Sequence, residues 1–118
     1  PLERFALGEE TIHVALPTDH PLAGRDEIAL AELAEEDWIL FHREFEPALH
    51  DLLLHLCAEA GFSARIRHRT NRVFNILGLV ASGLGVAFAP RSVTNRIQIA
   101  GVEFRPFRPA ARPFAVGA

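Results

Sequence analysis

The stretch at residues 77–90, LGLVASGLGVAFAP, constrains the fold more than any other part of the chain. A helix-like apolar pattern runs into Gly83 and Gly85, and a short apolar segment follows. Because glycine readily adopts the left-handed conformation that ends many helices, this order indicates a helix, a tight cap and a buried strand. A phosphate-binding glycine loop has the reverse order, with a strand before the glycines and a helix after them. The glycines therefore predict a structural turn and not a phosphate site.

The remainder of the chain alternates between strand-like and helix-like segments. Short runs rich in β-branched and aromatic residues predict strands, and longer runs with apolar residues three and four apart predict helices. The predicted strands are 10–16, 38–41, 64–70 and 86–89, with further extended segments at 102–107 and 114–116. The predicted helices are 28–33 with Asp26 in a capping role, 47–60, and 73–82 with Asn71 as its N-cap. This alternation is typical of an α/β fold in which helices pack on a mainly parallel sheet.

The segment 47–60 (PALHDLLLHLCAEA) has the strongest helical pattern. Pro47 suits the first position of a helix, and Gly61 suits a left-handed cap after its end. Cys57 lies within this helix between apolar neighbours, which favours a packing role over a catalytic thiol. Helical spacing predicts a core stripe that consists of Leu49, Leu52, Leu53, Leu56 and Ala60.

Length and composition exclude several classes of protein. The 118 residues suffice for one domain, and the net charge of −3 gives no reason to expect nucleic-acid binding by this chain alone. No apolar run reaches the length of a membrane-spanning helix, so no membrane association is expected. A single cysteine excludes an internal disulfide and fits a reducing cytosol. The chain starts at Pro1 and contains no methionine, so we expect a piece of a longer protein.

Two predicted strand-to-helix turns are the candidate ligand site. In a parallel sheet covered by helices, ligands bind outside the carboxyl ends of the strands. The turns at 41–47 (FHREFEP) and 70–75 (TNRVFN) lie at such ends, and both place helix N-terminal amides beside polar and aromatic side chains. Such a site suits a small anion, particularly a carboxylate.

Neither the histidines nor the arginines indicate a different kind of site. His50 and His55 are five residues apart on the predicted helix, so they do not share a face, and no ligand set with metal-binding spacing accompanies them. No metal and no cofactor are therefore expected. Alternation along 64–70 places Arg65, Arg67 and Arg69 on one face of a strand, which favours a solvated edge strand over a nucleic-acid patch.

In combination, four segments resemble the effector-binding domain of LysR-type transcriptional regulators. They follow one another in the family's order and spacing and cover nearly the whole chain. The segments are HVALPTDHPLA (13–23), WILFHREFEPALHDLLLHLCAEAGF (38–62), LGLVASGLGVAFAP (77–90) and GVEFRPF (101–107). The resemblance implies the type II periplasmic-binding-protein fold, in which a ligand cleft separates two α/β lobes. It implies that 13–100 form mainly the second lobe, and that 1–12 and 101–118 are crossover segments toward the first.

The resemblance also implies which residues contact an effector and which contact a second copy of the chain. The family's effector contacts correspond here to His42, Arg43, Glu44, Phe45, Asn71, Val73 and Asn75. Many relatives have threonine where Asn75 stands, which changes the hydrogen-bonding chemistry at that position. Relatives pair through the long helix and the strand after it, which implies an interface that includes His50, Leu54, Cys57, Ala58, Arg65, Ile66 and Arg67.

The function that this resemblance implies is a cytoplasmic sensing module and not an enzyme. A small organic acid would bind in the cleft, and the homodimer or tetramer would transmit its presence to DNA through an N-terminal winged helix-turn-helix that this sequence does not contain. Two alternatives stay open at this point. A solute-binding protein for uptake would use the same fold, and an α/β enzyme would need an acid–base pair among His42, Glu44 and Glu46.

Overall fold

A computed structural model describes residues 12–42, 44, 47–90 and 94–108. The strands are β1 (Ile12–Pro17), β2 (Ile28–Ala29), β3 (Asp37–Leu40), β4 (Arg65–Arg69), β5 (Ala87–Pro90) and β6 (Val102–Arg108). The helices are α1 (Pro47–Glu59) and α2 (Val73–Ala81), and a short 3₁₀ helix spans Leu30–Leu33. The predicted extended segment at 114–116 lies outside the described residues.

The strands form two hydrogen-bonded groups that meet at one bridge. One group has the order β2-β6-β1-β5 and the other pairs β3 with β4. An isolated parallel bridge between Trp38 and Val86 joins β3 to the start of β5, with the Ile39 amide donating to the Val86 carbonyl at 2.9 Å. Within the described residues β1 alone runs against its neighbours, because it pairs antiparallel with both β5 and β6. The prediction of an α/β fold with a mainly parallel sheet is confirmed.

The two helices cover opposite faces of this sheet. Side chains alternate along β3, so Ile39 contacts the α2 face while Trp38 and Leu40 contact the other. On the α2 face, Ile39 packs with Ile76, Leu77, Val80, Ala15, Ala87 and Val102. On the α1 face, Leu53 packs with Leu40, and the Trp38 and Phe88 rings stack with centroids 4.4 Å apart. Burial on both faces explains why β3 reads as a continuous apolar run.

Glycines end both helices as the sequence predicts. Gly61 and Gly83 have φ of 97° and 81°, the left-handed region that glycine occupies without strain. After α2, the Gly83 amide donates to the Val80 carbonyl at 2.9 Å and the Leu84 amide to the Leu79 carbonyl at 3.1 Å. This is the paired hydrogen-bond pattern of a Schellman cap.

Gly85 has a different role, because it lets two backbones approach closely. A Cβ at this position would lie 2.7 Å from the Asp37 carbonyl oxygen and 3.2 Å from Cγ1 of Ile39. The Val86 amide donates to that same Asp37 carbonyl at 2.9 Å, so the contact belongs to the bridge between β3 and β5. The glycines of this stretch are therefore explained by capping and packing.

Three local predictions are wrong or shifted. Ile28 and Ala29 form a strand that pairs parallel with β6, and only the four residues after them are helical. Asp26 does not cap that turn, since its N-cap is Ala29, whose amide donates to Glu32 Oε1 at 3.0 Å. Asn71 is not the N-cap of α2; Arg72 holds that position and makes no side-chain capping hydrogen bond.

β6 is a strand of this sheet, next to β1. Residues 102–108 therefore contribute to the described core, with Val102 packed against the α2 face. The division of the chain into a lobe at 13–100 and crossover segments on either side stays a prediction.

Candidate functional site

Parallel pairing brings the two predicted turns together at one edge of the sheet. β3 and β4 are neighbours, and their last residues, Leu40 and Arg69, are register partners. The pairing continues one residue further, because the Thr70 amide donates to the Leu40 carbonyl at 3.1 Å. The chain leaves each strand at this point, so the segments that lead into α1 and α2 start side by side.

The candidate residues of the second turn are mostly solvent-accessible. Asn71 and Asn75 are exposed and Val73 is half-buried. The Asn75 amide nitrogen lies 3.4 Å from Thr70 Oγ1, a long and therefore weak hydrogen bond. Asn75 can thus turn toward another partner at little cost. Phe74 projects from the same helical turn with 66% of its surface exposed, which leaves an aromatic ring at the rim of the site.

The first turn is described in part. His42 is half-buried and lies two residues after the end of β3, and Glu44 is exposed. Arg43 and Phe45 lie outside the described residues, so their roles in the site stay predictions.

The start of α2 provides favourable electrostatics for an anion. The first amides of a helix have no partner within the helix and carry partial positive charge. At α2 the N-cap residue Arg72 makes no side-chain hydrogen bond to the first turn. These amides therefore retain hydrogen-bonding capacity toward a small anion at the carboxyl end of β4.

A depression beside these turns contains a residue that the sequence did not assign to the site. Its space is about 300 Å³ when the open solvent at its mouth is counted. It is lined by Ile39, Leu40, Phe41, His50, Leu53, Ile76 and Phe88. His50 comes from the first turns of α1, and only 7% of its surface is exposed. Neither ring nitrogen has a hydrogen-bond partner among the described residues. His50 lies at helical spacing from the buried apolar residues of α1, as a core residue does. This spacing is the sequence signal that could have identified His50 as a core residue.

The residues proposed for a dimer interface fall into three groups by exposure. Ala58, Arg65 and Arg67 are exposed, and Leu54 and Ile66 are half-buried. Arg65 is also tied within the chain, since its Nε donates to Asp37 Oδ1 at 3.0 Å. His50 and Cys57 face the interior, so they can affect an interface only by supporting α1. The interface itself stays a prediction.

Cys57 is a packing residue, as its sequence context predicts. It is fully buried on the core side of α1, and its burial raises the pKa of the thiol from 9.0 to about 11. A thiol with this pKa is almost wholly protonated at neutral pH, which makes it a poor nucleophile and a poor metal ligand. Among the described side chains of α1, His50, Leu53 and Cys57 are the most buried. Leu52 and Leu56 of the predicted stripe are partly buried and pack against the same core.

The described parts of the chain show neither a metal-binding cluster nor a membrane-spanning helix. No group of three histidine, cysteine, aspartate or glutamate side chains there is arranged to hold a metal ion. No described helix combines the length and the apolar character needed to cross a bilayer.

A half-open depression at the carboxyl ends of parallel strands, between the starts of two helices, is the architecture of an α/β ligand-binding lobe. Comparison with known proteins gives the family. The model of the LysR substrate binding domain matches residues 1–118, and the chain belongs to this family.

Individual relatives agree with the family match. The chain is 40% identical over 100 residues to the HTH-type transcriptional regulator TtuA of Agrobacterium vitis, an alignment that covers 85% of this chain and 33% of that protein. It is 39% identical over 92 residues to the HTH-type transcriptional regulator CatR of Pseudomonas putida, covering 78% of this chain and 32% of that protein. The chain thus spans about a third of the length of these relatives. They are transcriptional regulators and not enzymes.

A solved structure supports the same fold. The effector-binding domain of BenM, in a structure with its effector benzoate, superposes with a TM-score of 0.76 and 27% identity. The match covers 86% of this chain and 46% of that chain, so the chain spans about half of that domain.

Proposed function

We propose that this chain is the second lobe of an effector-sensing domain in a LysR-type transcriptional regulator, and that its effector is a small organic acid. The observation that carries the proposal is the pairing of β3 with β4, which sets two strand-to-helix turns side by side at one sheet edge. The amides at the start of α2, which have no side-chain cap, favour an anionic group, and the apolar side chains that line the depression beside them favour an apolar group next to it. The BenM domain, which holds the aromatic acid benzoate, is consistent with this ligand class.

Each candidate residue has a role within this proposal. Arg43 forms a two-pronged contact with the carboxylate of the effector. His42, Glu44, Asn71 and Asn75 supply further hydrogen bonds, and Phe45 and Val73 contact its apolar part. The other half of the cleft comes from the first lobe, which belongs to the part of the regulator outside this chain.

Binding is coupled to DNA through the assembly of the whole regulator. The effector favours one lobe angle over another and thereby changes the geometry of a homodimer or tetramer, which is allostery in the sense of linked equilibria. DNA is contacted by an N-terminal winged helix-turn-helix domain, and the regulator acts in the cytoplasm. A solute-binding protein for uptake is less well supported, because the relatives are transcriptional regulators.

The test is an Arg43→Ala substitution in the full-length regulator. Binding is measured by calorimetry with benzoate and with succinate as probes, and response is measured in a transcription reporter. Loss of a charge-assisted contact weakens binding of the acid that the native protein recognises by at least about tenfold. Arg25→Ala is the matched control, because Arg25 pairs with Glu32 of the 3₁₀ helix and belongs to neither of the two turns.

Two outcomes contradict this proposal. An unchanged affinity in Arg43→Ala removes the assigned role of Arg43. A native regulator that binds neither these two acids nor hydroxylated derivatives of them contradicts the proposed ligand class.

A further inference from the structure

Acidic residues are distributed very unevenly along the chain. Of its 15 acidic residues, only Glu103 lies beyond residue 59. Residues 60–102, which include β4, α2 and β5, therefore contain no carboxylate side chain, whereas they contain six arginines. Such a charge asymmetry creates a local positive field although the whole chain has a net charge of −3. The positive charge is thus concentrated in the part of the chain that forms the second turn of the proposed site.

The described arginines differ in whether the fold uses their charge. Arg25, Arg65 and Arg105 each form an ion pair with a carboxylate of the chain. Four other described arginines are exposed, and their guanidinium groups have no ion pair or hydrogen bond within the described residues: Arg67, Arg69, Arg72 and Arg96. The fold therefore stabilises itself with the first group and leaves the charges of the second group available.

Two of the unpaired arginines lie at the proposed effector site. Arg69 is the last residue of β4 and the register partner of Leu40, and Arg72 is the N-cap of α2. Three residues span at most about 11 Å, so the two long side chains can reach a single anionic group between them. The first amides of α2, which have no side-chain cap, add partial positive charge at the same place. The second turn therefore has an excess of positive charge.

The first turn differs, because it combines charges of both signs. Its sequence, FHREFEP, contains Arg43 together with Glu44 and Glu46. Glu44 is exposed and forms no ion pair with Arg69 or Arg72 in the described part of the chain. One carboxylate of an effector satisfies Arg43, as proposed above, but an acid with a single carboxylate leaves the charge of the second turn uncompensated. A second anionic group on the same ligand would neutralise it.

We infer that Arg69 and Arg72 bind a second anionic group of the effector, so that the effector is a dicarboxylic acid. This inference rests on the proposed function, since it concerns the same ligand at the same two turns. Arginine suits this role because its planar guanidinium group donates two parallel hydrogen bonds to one carboxylate. The inference adds two specificity-determining residues and one charge to the proposed ligand class.

The experiment measures affinity for sets of acids that differ by one carboxylate. The sets are butyrate with succinate, and benzoate with isophthalate and terephthalate. The full-length regulator is titrated with each acid by calorimetry at about 0.15 M salt, where exposed charges more than about 8 Å apart are largely screened. We expect the diacid of the preferred set to bind at least about tenfold more tightly than its monoacid, because hydrogen bonds between charged groups are the strong ones.

Arginine variants show whether the second turn causes this preference. Arg69→Gln and Arg72→Gln each remove a charge while keeping a polar side chain. We expect each to reduce the preference for the diacid and the double variant to abolish it, while affinity for the monoacid changes by less than about threefold. Arg72→Lys keeps the charge without the two-pronged geometry and should retain part of the preference.

Arg96→Gln is the matched control for the removal of one charge. Arg96 is also exposed and has no partner in the described part of the chain, but it belongs to neither turn. We expect this variant to keep the preference of the native protein. Circular dichroism and thermal melting confirm that each variant is folded.

The outcomes separate this inference from the proposed function. A native regulator that binds monoacids and diacids equally well leaves the proposed function intact and overturns the role of Arg69 and Arg72. A preference that persists in the double variant overturns it as well. The same holds if the double variant loses affinity equally for both members of a set, or if Arg96→Gln loses as much preference, because either result indicates only the general field of a positive surface. A native regulator that binds none of the acids overturns both proposals.

Discussion

The two ends of the sheet are built differently. At the end where α1 and α2 finish, Gly61 and Gly83 close each helix with backbone hydrogen bonds, and Gly85 brings two strands into contact. At the end where the helices begin, α2 has no side-chain cap and His50 is buried without a hydrogen-bond partner among the described residues. The first end fixes the path of the chain, while the second retains polar groups that can contact a ligand. Substitutions at the two ends should therefore have opposite effects on stability.

Gly85→Ala should have the largest effect. The added Cβ would lie 2.7 Å from the Asp37 carbonyl oxygen, and backbone cannot move aside as a flexible side chain can. We expect the bridge between β3 and β5 to loosen at a cost of about 3 kcal/mol, as for other overpacked sites. Hydrogen exchange of the full-length protein, read in peptides that cover 37–40 and 86–90, measures this local loss. Unchanged protection in these peptides would show that the close approach is unimportant.

The next largest effect on stability concerns Cys57, which lies on the core side of α1 between the two ends of the sheet. Its pKa is raised from 9.0 to about 11 in the folded chain, so the folded state binds this proton more tightly than the unfolded state. The free energy of unfolding should therefore be unaffected by this thiol below pH 9 and fall as the pH rises from 9 to 11. The loss is about 2–3 kcal/mol, since one pKa unit corresponds to about 1.4 kcal/mol.

Cys57→Ala is the control for this pH dependence. Alanine does not titrate, so the stability difference between the native protein and the variant should narrow across that range. If the free energies of unfolding of the native protein and of Cys57→Ala differ by the same amount at all pH values, the thiol is not buried as described.

Gly83→Ala should have a smaller effect than Gly85→Ala. Nothing lies within 4 Å of an added Cβ at Gly83, so the cost comes only from its φ of 81°. A non-glycine residue in this conformation costs about 1–2 kcal/mol. Gly78→Ala is the matched comparison, because Gly78 lies inside α2 with open space around it, and alanine there should stabilise the helix slightly. Equal effects of the two substitutions on thermal melting would contradict the capping role of Gly83.

The smallest effect, and one of opposite sign, is expected at the other end. His50→Leu replaces a buried imidazole that has no described hydrogen-bond partner with an apolar side chain in an apolar depression. We expect the free energy of unfolding to rise by about 1 kcal/mol, because an unsatisfied polar group is removed. A clear loss of stability would mean that the fold uses the imidazole.

Local signals in the sequence predicted the glycine-marked end well. Gly61 and Gly83 follow apolar helical patterns directly, and their conformations need nothing from distant parts of the chain. Strands fully covered on both faces, such as β3, are also recognisable as short apolar runs. The direction of β1 could not be read in this way, because antiparallel pairing with β5 and β6 depends on contacts far apart in sequence.

The ligand end was predicted only in part. The two turns follow from the order of strands and helices, but Asn71 was placed as an N-cap that Arg72 provides instead. His50 was assigned to a dimer interface because the family resemblance implies pairing through the long helix. Its helical spacing relative to the buried Leu53 and Cys57 was the available signal, but the predicted core stripe followed the leucines and left His50 out. Polar residues at core positions are therefore the ones that sequence patterns assign least well.

The most direct test of the difference between the two ends is the location of a bound acid. A crystal structure of the full-length regulator with the acid that it binds most tightly would show it. We expect the carboxylate at the turns that follow β3 and β4. An acid bound beside Gly83 and Gly85, at the opposite edge of the sheet, would contradict the account.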